Sequence, residues 1–239
     1  MKKAIIIGAS TGIGRGMARV LTDNGYIVGI TGRRIHLLEE LKNENPEQYI
    51  IKAFDVKDIN NNATKLSELV EELGGLDLII LNAGTGPYNY DLDFEVEKVT
   101  IETDVIGFTF IADWAFRYFK KQSYGHLVGI TSIAGLRGNR VSPSYSGSKA
   151  FEIKYLEGLR QKAKKEDLHM HVTDIRPGYV DTSMTKGESG IFWLASVEKA
   201  SKQIYGAIKA KKRIVYVTKR WAIIAFIIKL LPGFIYERL

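Results

Sequence analysis

Cysteine is absent from the 239-residue chain, which also has only five prolines and four histidines. Without cysteine, the chain can form neither a disulfide bond nor a thiolate metal site. His169 and His171 have the spacing of neighbours on one face of a strand, just before an apolar run, and we interpret them as structural. No metal site is therefore expected.

Long hydrophobic runs are also scarce. The most apolar stretch, 221–231, contains a lysine and is too short to span a bilayer, which takes about 20 residues. The apolar start of the chain, 4–7, is too short for the core of a signal peptide and runs into a glycine-rich turn. A cytoplasmic protein is the simplest interpretation.

The net charge of +7 admits nucleic acid, a membrane surface or an anionic small molecule as a partner. The sequence has neither a stacked-aromatic RNA-binding module nor a helix-turn-helix pattern. We therefore expect no nucleic-acid partner.

Apolar runs of strand length alternate with helix-like segments along the chain. The strand-like segments are 3–7, 26–31, 49–54, 76–81, 126–131, 170–175 and 213–217. The helix-like segments are 16–24, 35–43, 60–73, 98–121, 145–165 and 197–210. Because the strands are continuously apolar, both faces of their sheet are expected to be covered. The pattern predicts a single α/β domain over 1–239, with a doubly wound parallel sheet of about seven strands and helices on both faces.

A glycine-rich loop, 8–14, joins the first strand to the first helix. Its glycine spacing differs from the commonest dinucleotide fingerprint, G-x-G-x-x-G. Glycines let the backbone approach a pyrophosphate, and the helix N-terminus supplies amides and partial positive charge. We therefore predict a phosphate site formed by Gly8, Ser10, Thr11, Gly12, Ile13 and Gly14.

The second strand ends without a carboxylate. A site for NAD is expected to have an acidic residue here to bind the ribose hydroxyls, but the chain has Gly32, Arg33 and Arg34. The planar guanidinium of Arg33 can bind a 2′-phosphate, so the sequence favours NADP(H) as the cofactor. The alternative is that both arginines are solvated charges at the start of a helix.

Tyr145 and Lys149 lie four residues apart in a segment that Ser142 and Pro143 can start as a helix. Residues four apart share a helix face, so the lysine ammonium is expected near the phenol. A nearby positive charge favours the phenolate. The spacing therefore predicts a lowered pKa for Tyr145 and a role in proton transfer.

Further motifs occur in order with these two: Asp55-Val56, Asn82-Ala83-Gly84, Ser132 and Pro177-Gly178. Together with the glycine loop and the Tyr-x-x-x-Lys motif, they resemble the pattern of the short-chain dehydrogenase/reductase family over residues 4 to about 185. The resemblance implies a Rossmann-like fold and hydride transfer between a nicotinamide cofactor and a carbonyl or alcohol.

The resemblance also implies a role for each residue. Tyr145 would be the general acid in reduction, Lys149 would hold the nicotinamide ribose, and Ser132 would polarise the substrate oxygen. Two donors at that oxygen would stabilise the negative charge that develops on it. The other implied cofactor contacts are Asp55 and Val56 near the adenine, Asn82 and Gly84 near the ribose, and Pro177, Gly178, Val180 and Thr182 near the nicotinamide.

One position departs from the family pattern. Asp104 stands three residues before Gly107, where many members have an asparagine that helps to hold a water near the active lysine. An aspartate there can accept from the water, pair with Lys149 or carry a proton itself, and it joins the candidate catalytic residues. If it silences the proton relay, the alternative is a cofactor-binding regulatory or scaffold protein with little turnover.

Residues 182–196 are predicted to form a substrate lid whose apolar side chains suit a partly apolar substrate. The stretch 184–190 is expected to be mobile and to close on binding. Phe192 and Trp193 have the alternative of packing the lid on the core. The opposite wall is expected to contain Tyr88, Asn89 and Tyr90.

The C-terminal extension, 219–239, is strongly apolar, and basic residues precede its apolar run: Lys209, Lys211, Lys212, Arg213, Lys219 and Arg220. It can pack on a partner subunit, roof the cleft, or lie at a membrane surface beside a basic collar. The family resemblance implies a homodimer or homotetramer that acts on a small-molecule carbonyl or alcohol.

Overall fold

The computed structural model describes residues 1–185 and 191–238, and its centre is a seven-stranded parallel sheet. The strand order is β3-β2-β1-β4-β5-β6-β7. The strands are β1 (Lys2–Ile7), β2 (Tyr26–Gly32), β3 (Tyr49–Ala53), β4 (Leu78–Leu81), β5 (Tyr124–Ile130), β6 (His169–Pro177) and β7 (Ile214–Val217). The predicted doubly wound parallel sheet is therefore confirmed.

Helices cover both faces of the sheet. They are α1 (Gly12–Asp23), α2 (Ile35–Glu44), α3 (Ile59–Leu73), α4 (Phe94–Ile101), α5 (Phe108–Gln122), α6 (Pro143–Lys165), α7 (Val197–Lys209), α8 (Trp221–Leu230) and α9 (Gly233–Tyr236). Among the described residues, no helix is both long enough and apolar enough to cross a membrane.

Alternate residues of each strand belong to two separate cores, because successive side chains point to opposite faces of a sheet. In β1, Ala4 and Ile6 join the core under α1, α2 and α7, whereas Ile5 and Ile7 join the core under α3, α5 and α6. All four side chains are essentially inaccessible to solvent. Burial on both faces explains why the strands are continuously apolar.

The single helix predicted over 98–121 is wrong in one respect. A π-helical segment, Glu102–Gly107, separates α4 from α5. Within it, Gly107 packs closely on the loop that follows β3: a Cβ on Gly107 would lie 2.9 Å from the carbonyl oxygen of Val56. The wider turn also holds Asp104 on the buried side, and single π turns of this kind are frequent at functional sites.

The strand order reverses beside β1, which lies between β2 and β4. In such sheets, ligands bind in the crevice beyond the carboxyl ends of the strands at this switch point. The loops after β1, β4, β5 and β6 therefore surround one place. The C-terminal helix α8 follows β7 and therefore starts at the carboxyl ends of the strands. Lys211, Lys212 and Arg213 precede β7 and lie at the amino ends.

Candidate active site

A cleft of about 520 Å³ opens at the carboxyl ends of the strands. It brings together almost all of the site residues predicted from the sequence. Those that line it are Gly8, Ser10, Thr11, Gly12, Ile13, Arg33, Asp55, Val56, Asn82, Gly84, Ser132, Tyr145, Lys149, Pro177, Gly178, Val180 and Thr182. Gly14 and Asp104 lie behind its wall.

The glycine loop takes its shape from close backbone contacts. Gly8 has a φ of +87°, and a Cβ there would lie 2.8 Å from the backbone of Ala83. The side-chain amide of Asn82 donates to the Gly8 carbonyl at 2.7 Å. Gly14 is needed for packing, since a Cβ there would lie 2.0 Å from the Gly8 carbonyl oxygen. Asn82 therefore connects the end of β4 to the loop that begins α1.

The start of α1 suits an anion. Thr11 is the N-cap but its side chain makes no capping hydrogen bond, and the first turn has no acidic residue. Unpaired amides at a helix N-terminus attract negatively charged groups. Thr11, Gly12 and Ile13 all line the cleft, so these amides face a place where a phosphate can bind.

Arg34, next to the predicted Arg33, lies against the glycine loop. Its guanidinium donates to the hydroxyl of Ser10 at 2.9 Å and to that of Thr11 at 3.0 Å. The Arg33 side chain is 70% exposed and is 3.8 Å from the Asp55 carboxylate. Two arginines therefore stand at the end of β2, and the sequence indicated the second only by its position beside the first.

Tyr145 lies near the start of α6 and lines the same cleft as Ser132. The N-cap of α6 is Ser142, as predicted, but its side chain donates to the Pro87 carbonyl at 2.7 Å and not to the helix. Ser132 follows β5, and its hydroxyl accepts from the amide of Ala134 at 3.1 Å. Both hydroxyl groups line the same cavity.

The lowered pKa predicted for Tyr145 is wrong as a net effect. Burial raises the pKa of the phenol, and this outweighs the lowering by Lys149 and by a hydrogen bond with Ser132. Asp104 and, when ionised, Glu152 raise the pKa of Tyr145 further. Tyr145 is therefore protonated at neutral pH, which is the form that a proton donor needs.

Lys149 is buried between two carboxylates. Its Nζ atom lies 3.3 Å from Oδ2 of Asp104 and 2.7 Å from Oε1 of Glu152. Asp104 also accepts the amide of Thr85 through Oδ1 at 2.9 Å. Asp104 and Glu152 are 0% exposed and Lys149 is 3% exposed. Of the three readings open for Asp104, the structure favours pairing with Lys149.

Burial governs the protonation of this cluster. It raises the pKa of Glu152 to about 8, although the Lys149 ammonium acts in the opposite direction. It also raises the pKa of Asp104. Burial lowers the pKa of Lys149, but Asp104 and, when ionised, Glu152 more than offset it and the net pKa is raised. Lys149 is therefore a cation, and its glutamate partner carries a proton at neutral pH.

Glu152 was missed in the sequence. It lies three residues after Lys149, on the helix face that also buries Ile153 and Leu156. A charged residue on a face that is otherwise apolar was the available signal, since a buried charge is retained only with a partner.

No group of three or more metal-ligating side chains occurs in the part of the chain that the structure describes.

The rest of the cleft is partly apolar. Met184, Ile228 and Tyr236 line it, so the C-terminal segment forms part of the wall. Of the three residues expected on the opposite wall, Tyr88 lines the cleft, Asn89 is buried and donates to Glu97, and Tyr90 is 72% exposed. The segment 186–190, which includes most of the stretch expected to close, lies outside the described residues.

Comparison with known proteins identifies the family of this chain. The short chain dehydrogenase family model matches residues 2–190. An uncharacterized oxidoreductase of Mycobacterium tuberculosis is 31% identical over 216 residues, covering 87% of this chain and 85% of its own. Another, from Myxococcus xanthus, is 33% identical over 189 residues, covering 77% and 74%.

Solved structures share the fold. ElxO with NADP bound has a TM-score of 0.80 at 23% identity, covering 90% of this chain and 96% of its own. A short-chain type dehydrogenase/reductase from Mycobacterium marinum has a TM-score of 0.82 at 21% identity, covering 91% and 94%. The sheet, the cleft and the family match agree, and this chain belongs to the short chain dehydrogenase family of oxidoreductases.

Proposed function

We propose that the protein is an NADP(H)-dependent oxidoreductase that transfers a hydride between the nicotinamide and a carbonyl or alcohol carbon of a partly apolar substrate. The observation that carries the proposal is that Ser132, Tyr145 and Lys149 line the same cleft as the glycine loop. A phosphate site and a proton donor are therefore close enough to serve one ligand pair.

The residues present fit the cofactor. The glycine loop and the N-terminus of α1 suit its pyrophosphate, because amides and a positive dipole end are gathered there. Arg33 and Arg34 at the end of β2 suit a 2′-phosphate, with the hydroxyls of Ser10 and Thr11 alongside. The NADP bound to ElxO, a protein of the same fold, agrees with this choice.

Further cofactor contacts are proposed from the cleft lining. We expect Asp55 and Val56 beside the adenine and Asn82, Gly84 and Lys149 beside the riboses, and all five residues line the cleft. Thr182 lies beside the glycine loop, since a Cβ on Gly12 would be 3.1 Å from its methyl group. Pro177, Gly178 and Val180 complete this end of the site.

The side chains divide the chemistry as follows. A bound NADPH supplies the hydride, which adds to the carbonyl carbon. The phenol of Tyr145 gives its proton to the carbonyl oxygen, and the hydroxyl of Ser132 donates a hydrogen bond to that oxygen as negative charge develops. Lys149 remains cationic beside Asp104 and Glu152 and stabilises the tyrosinate that is left.

Asp104 is the observation that favours the second candidate, a cofactor-binding regulatory or scaffold protein. Its carboxylate holds Lys149 at 3.3 Å. A lysine paired with the Asp104 carboxylate gives up its proton reluctantly, which would slow the renewal of the Tyr145 proton. The family resemblance further favours a homodimer or homotetramer, and the apolar extension 219–239 favours peripheral membrane contact.

Cofactor titration tests the proposal first. The purified protein is titrated with NADPH and NADH by fluorescence, and NADPH oxidation is then followed over apolar ketones and aldehydes. Tighter binding of NADPH with turnover is expected, and binding of neither cofactor would overturn the proposal. If NADPH binds without turnover, Asp104→Asn separates a silenced relay, where activity appears, from a missing substrate, where it does not.

A further inference from the structure

Helix α8 exposes an apolar stripe where a surface helix normally has polar residues. Ile223, Phe226, Ile227 and Leu230 are 60%, 65%, 50% and 66% exposed. Their spacing of three, four and seven residues is that of one helix face. The usual stripe with this spacing faces a core, but here it faces outward.

The stripe cannot turn inward, because the opposite face of the helix is already packed. Trp221 and Ala225 are each 1% exposed. The Trp221 indole lies so close to Gly178 that a Cβ on the glycine would be 2.1 Å from the ring. After α8, the guanidinium of Arg137 donates to the carbonyl of Leu231 at 2.9 Å and stacks on Tyr236, with 4.4 Å to the ring centre.

Further apolar side chains are exposed outside the stripe of α8. Phe192 and Trp193, from the predicted lid, are 48% and 39% exposed and lie beside Trp221, with ring centres 5.0 Å and 5.9 Å from it. Phe234 of α9 is 66% exposed. We name this set the apolar plateau: Phe192, Trp193, Leu194, Ile223, Phe226, Ile227, Leu230 and Phe234. A group of exposed apolar side chains of this size, on α8 and on segments near it in the chain or in space, indicates an interaction site.

Positive charge accompanies the plateau. Residues 219–239 contain Lys219, Arg220, Lys229 and Arg238 but one acidic residue, Glu237. Arg220 stacks on Trp193 with its guanidinium 5.2 Å from the ring centre, so one basic side chain lies directly on the plateau. Lys211, Lys212 and Arg213 precede β7, at the amino ends of the strands, and do not belong to the basic residues beside the plateau.

We propose that the apolar plateau docks on the surface of an anionic lipid bilayer, with the basic side chains at the headgroups. A ten-residue helix cannot cross a bilayer, but an apolar face flanked by lysine and arginine is typical of a helix that lies in the interface. A second copy of the chain fits less well. A two-fold contact would set this positively charged patch against itself, with few carboxylates to pair the charges.

The position of the plateau also defines a class of substrate, on the assumption that the proposed function is correct. Ile228 of α8 and Tyr236 of α9 line the cleft, while their neighbours Ile227 and Ile235 are exposed. One wall of the cleft is therefore the back of the membrane-facing segment. A carbonyl compound with a long hydrocarbon part, dissolved in the bilayer, can enter beside this wall.

Vesicle co-sedimentation of the full chain, without cofactor, tests the docking. Vesicles of phosphatidylcholine with phosphatidylglycerol are compared with phosphatidylcholine alone, at low and high salt. We expect binding to the anionic vesicles that weakens with salt. Phe226→Ser with Leu230→Ser, and separately Lys219→Glu with Lys229→Glu, should each weaken it by at least about tenfold.

Matched controls come from helices that hold no plateau residue. Phe94 of α4 is 68% exposed, and Lys121 is exposed at the end of α5. Phe94→Ser and Lys121→Glu should leave vesicle binding unchanged. Equal losses in these controls, or no binding to anionic vesicles, would overturn the proposal. A change of oligomeric state in Phe226→Ser with Leu230→Ser, without lipid, would assign the plateau to a second copy and also overturn it.

The substrate class has its own measurement. A long-chain ketone in anionic vesicles is compared with a short water-soluble ketone, for the wild type and the Lys219→Glu, Lys229→Glu variant. The variant should lose turnover of the long-chain ketone and keep that of the short one. A variant that turns over the long-chain ketone as fast as the wild type does would contradict entry from the bilayer. Vesicle binding needs no turnover, so a protein that docks but never oxidises NADPH would contradict the proposed function alone.

Discussion

The Nζ atom of Lys149 lies 2.7 Å from Oε1 of Glu152, one helical turn further along α6, and neither side chain is open to solvent. The second glutamate oxygen, Oε2, is buried and has no hydrogen-bond partner among the residues that the structure describes. A buried carboxylate with an unpaired oxygen is costly, whereas a protonated carboxyl is much less so. The lysine of the active site is therefore held by a partner whose charge depends on pH.

Glu152 should make stability depend on pH. Between about pH 5 and pH 8 the folded protein holds a proton on Glu152 that the unfolded chain releases, because burial raises the pKa of this carboxyl to about 8. The free energy of unfolding should therefore fall as pH rises through this range, by up to about 1.4 kcal/mol per pH unit from this group. Urea unfolding at a series of pH values measures it.

Glu152→Gln should remove this contribution, so its free energy of unfolding should fall less between pH 5 and pH 8 than that of the wild type. Glu157→Gln is the control, since Glu157 lies on the same helix but pairs with Lys154 at the surface. A pH profile that is the same in Glu152→Gln and the wild type would contradict the assignment of the proton.

Asp104 is expected to be more important as an acceptor than as a charge. Asp104→Asn keeps an oxygen for the amide of Thr85, and without the Asp104 charge Glu152 can release its proton and pair with Lys149, so the substitution should cost less than about 1 kcal/mol. Asp104→Leu leaves that amide unpaired in a buried place and should cost about 2 kcal/mol or more. Urea unfolding at pH 7 measures both, and equal losses would show that the charge dominates.

Arg34 should contribute to the choice of cofactor. Its guanidinium lies on the hydroxyls of Ser10 and Thr11, where a 2′-phosphate is proposed to bind. Arg34→Ala should weaken NADPH binding by about tenfold or more and leave NADH binding nearly unchanged, because NADH has no 2′-phosphate. Fluorescence titration measures both constants. Equal weakening for the two cofactors would mean that Arg34 only supports the loop.

Gly178 should tolerate no side chain. A Cβ there would lie within 2.3 Å of three atoms of the Trp221 ring. Gly178→Ala should lower the free energy of unfolding by about 2 kcal/mol or more, since a packed ring has no room to move. Gly158→Ala is the matched control, because nothing lies within 4 Å of a Cβ at that helical position. If Gly178→Ala leaves the free energy of unfolding unchanged, the C-terminal helix is only loosely packed on the rest of the protein.

The sequence predicted the sheet because its strands are buried on both faces, and such strands are continuous apolar runs that periodicity detects. The site motifs were equally visible, since they come in order at the ends of those strands. The sequence did not predict the π-helical break at 102–107, where Gly107 packs against Val56, a residue distant in the chain. The outward stripe of α8 was also hidden, since an apolar stripe looks the same whether a core or a membrane covers it.

Hydride transfer in single-turnover experiments with Tyr145→Phe tests the central claim most directly. The variant keeps the ring that lines the cleft and loses only the proposed proton donor. We predict NADPH binding within about twofold of the wild type and NADPH oxidation at least about 100-fold slower with any ketone that the wild type reduces. Unchanged oxidation in Tyr145→Phe would contradict the assignment of Tyr145 as the general acid.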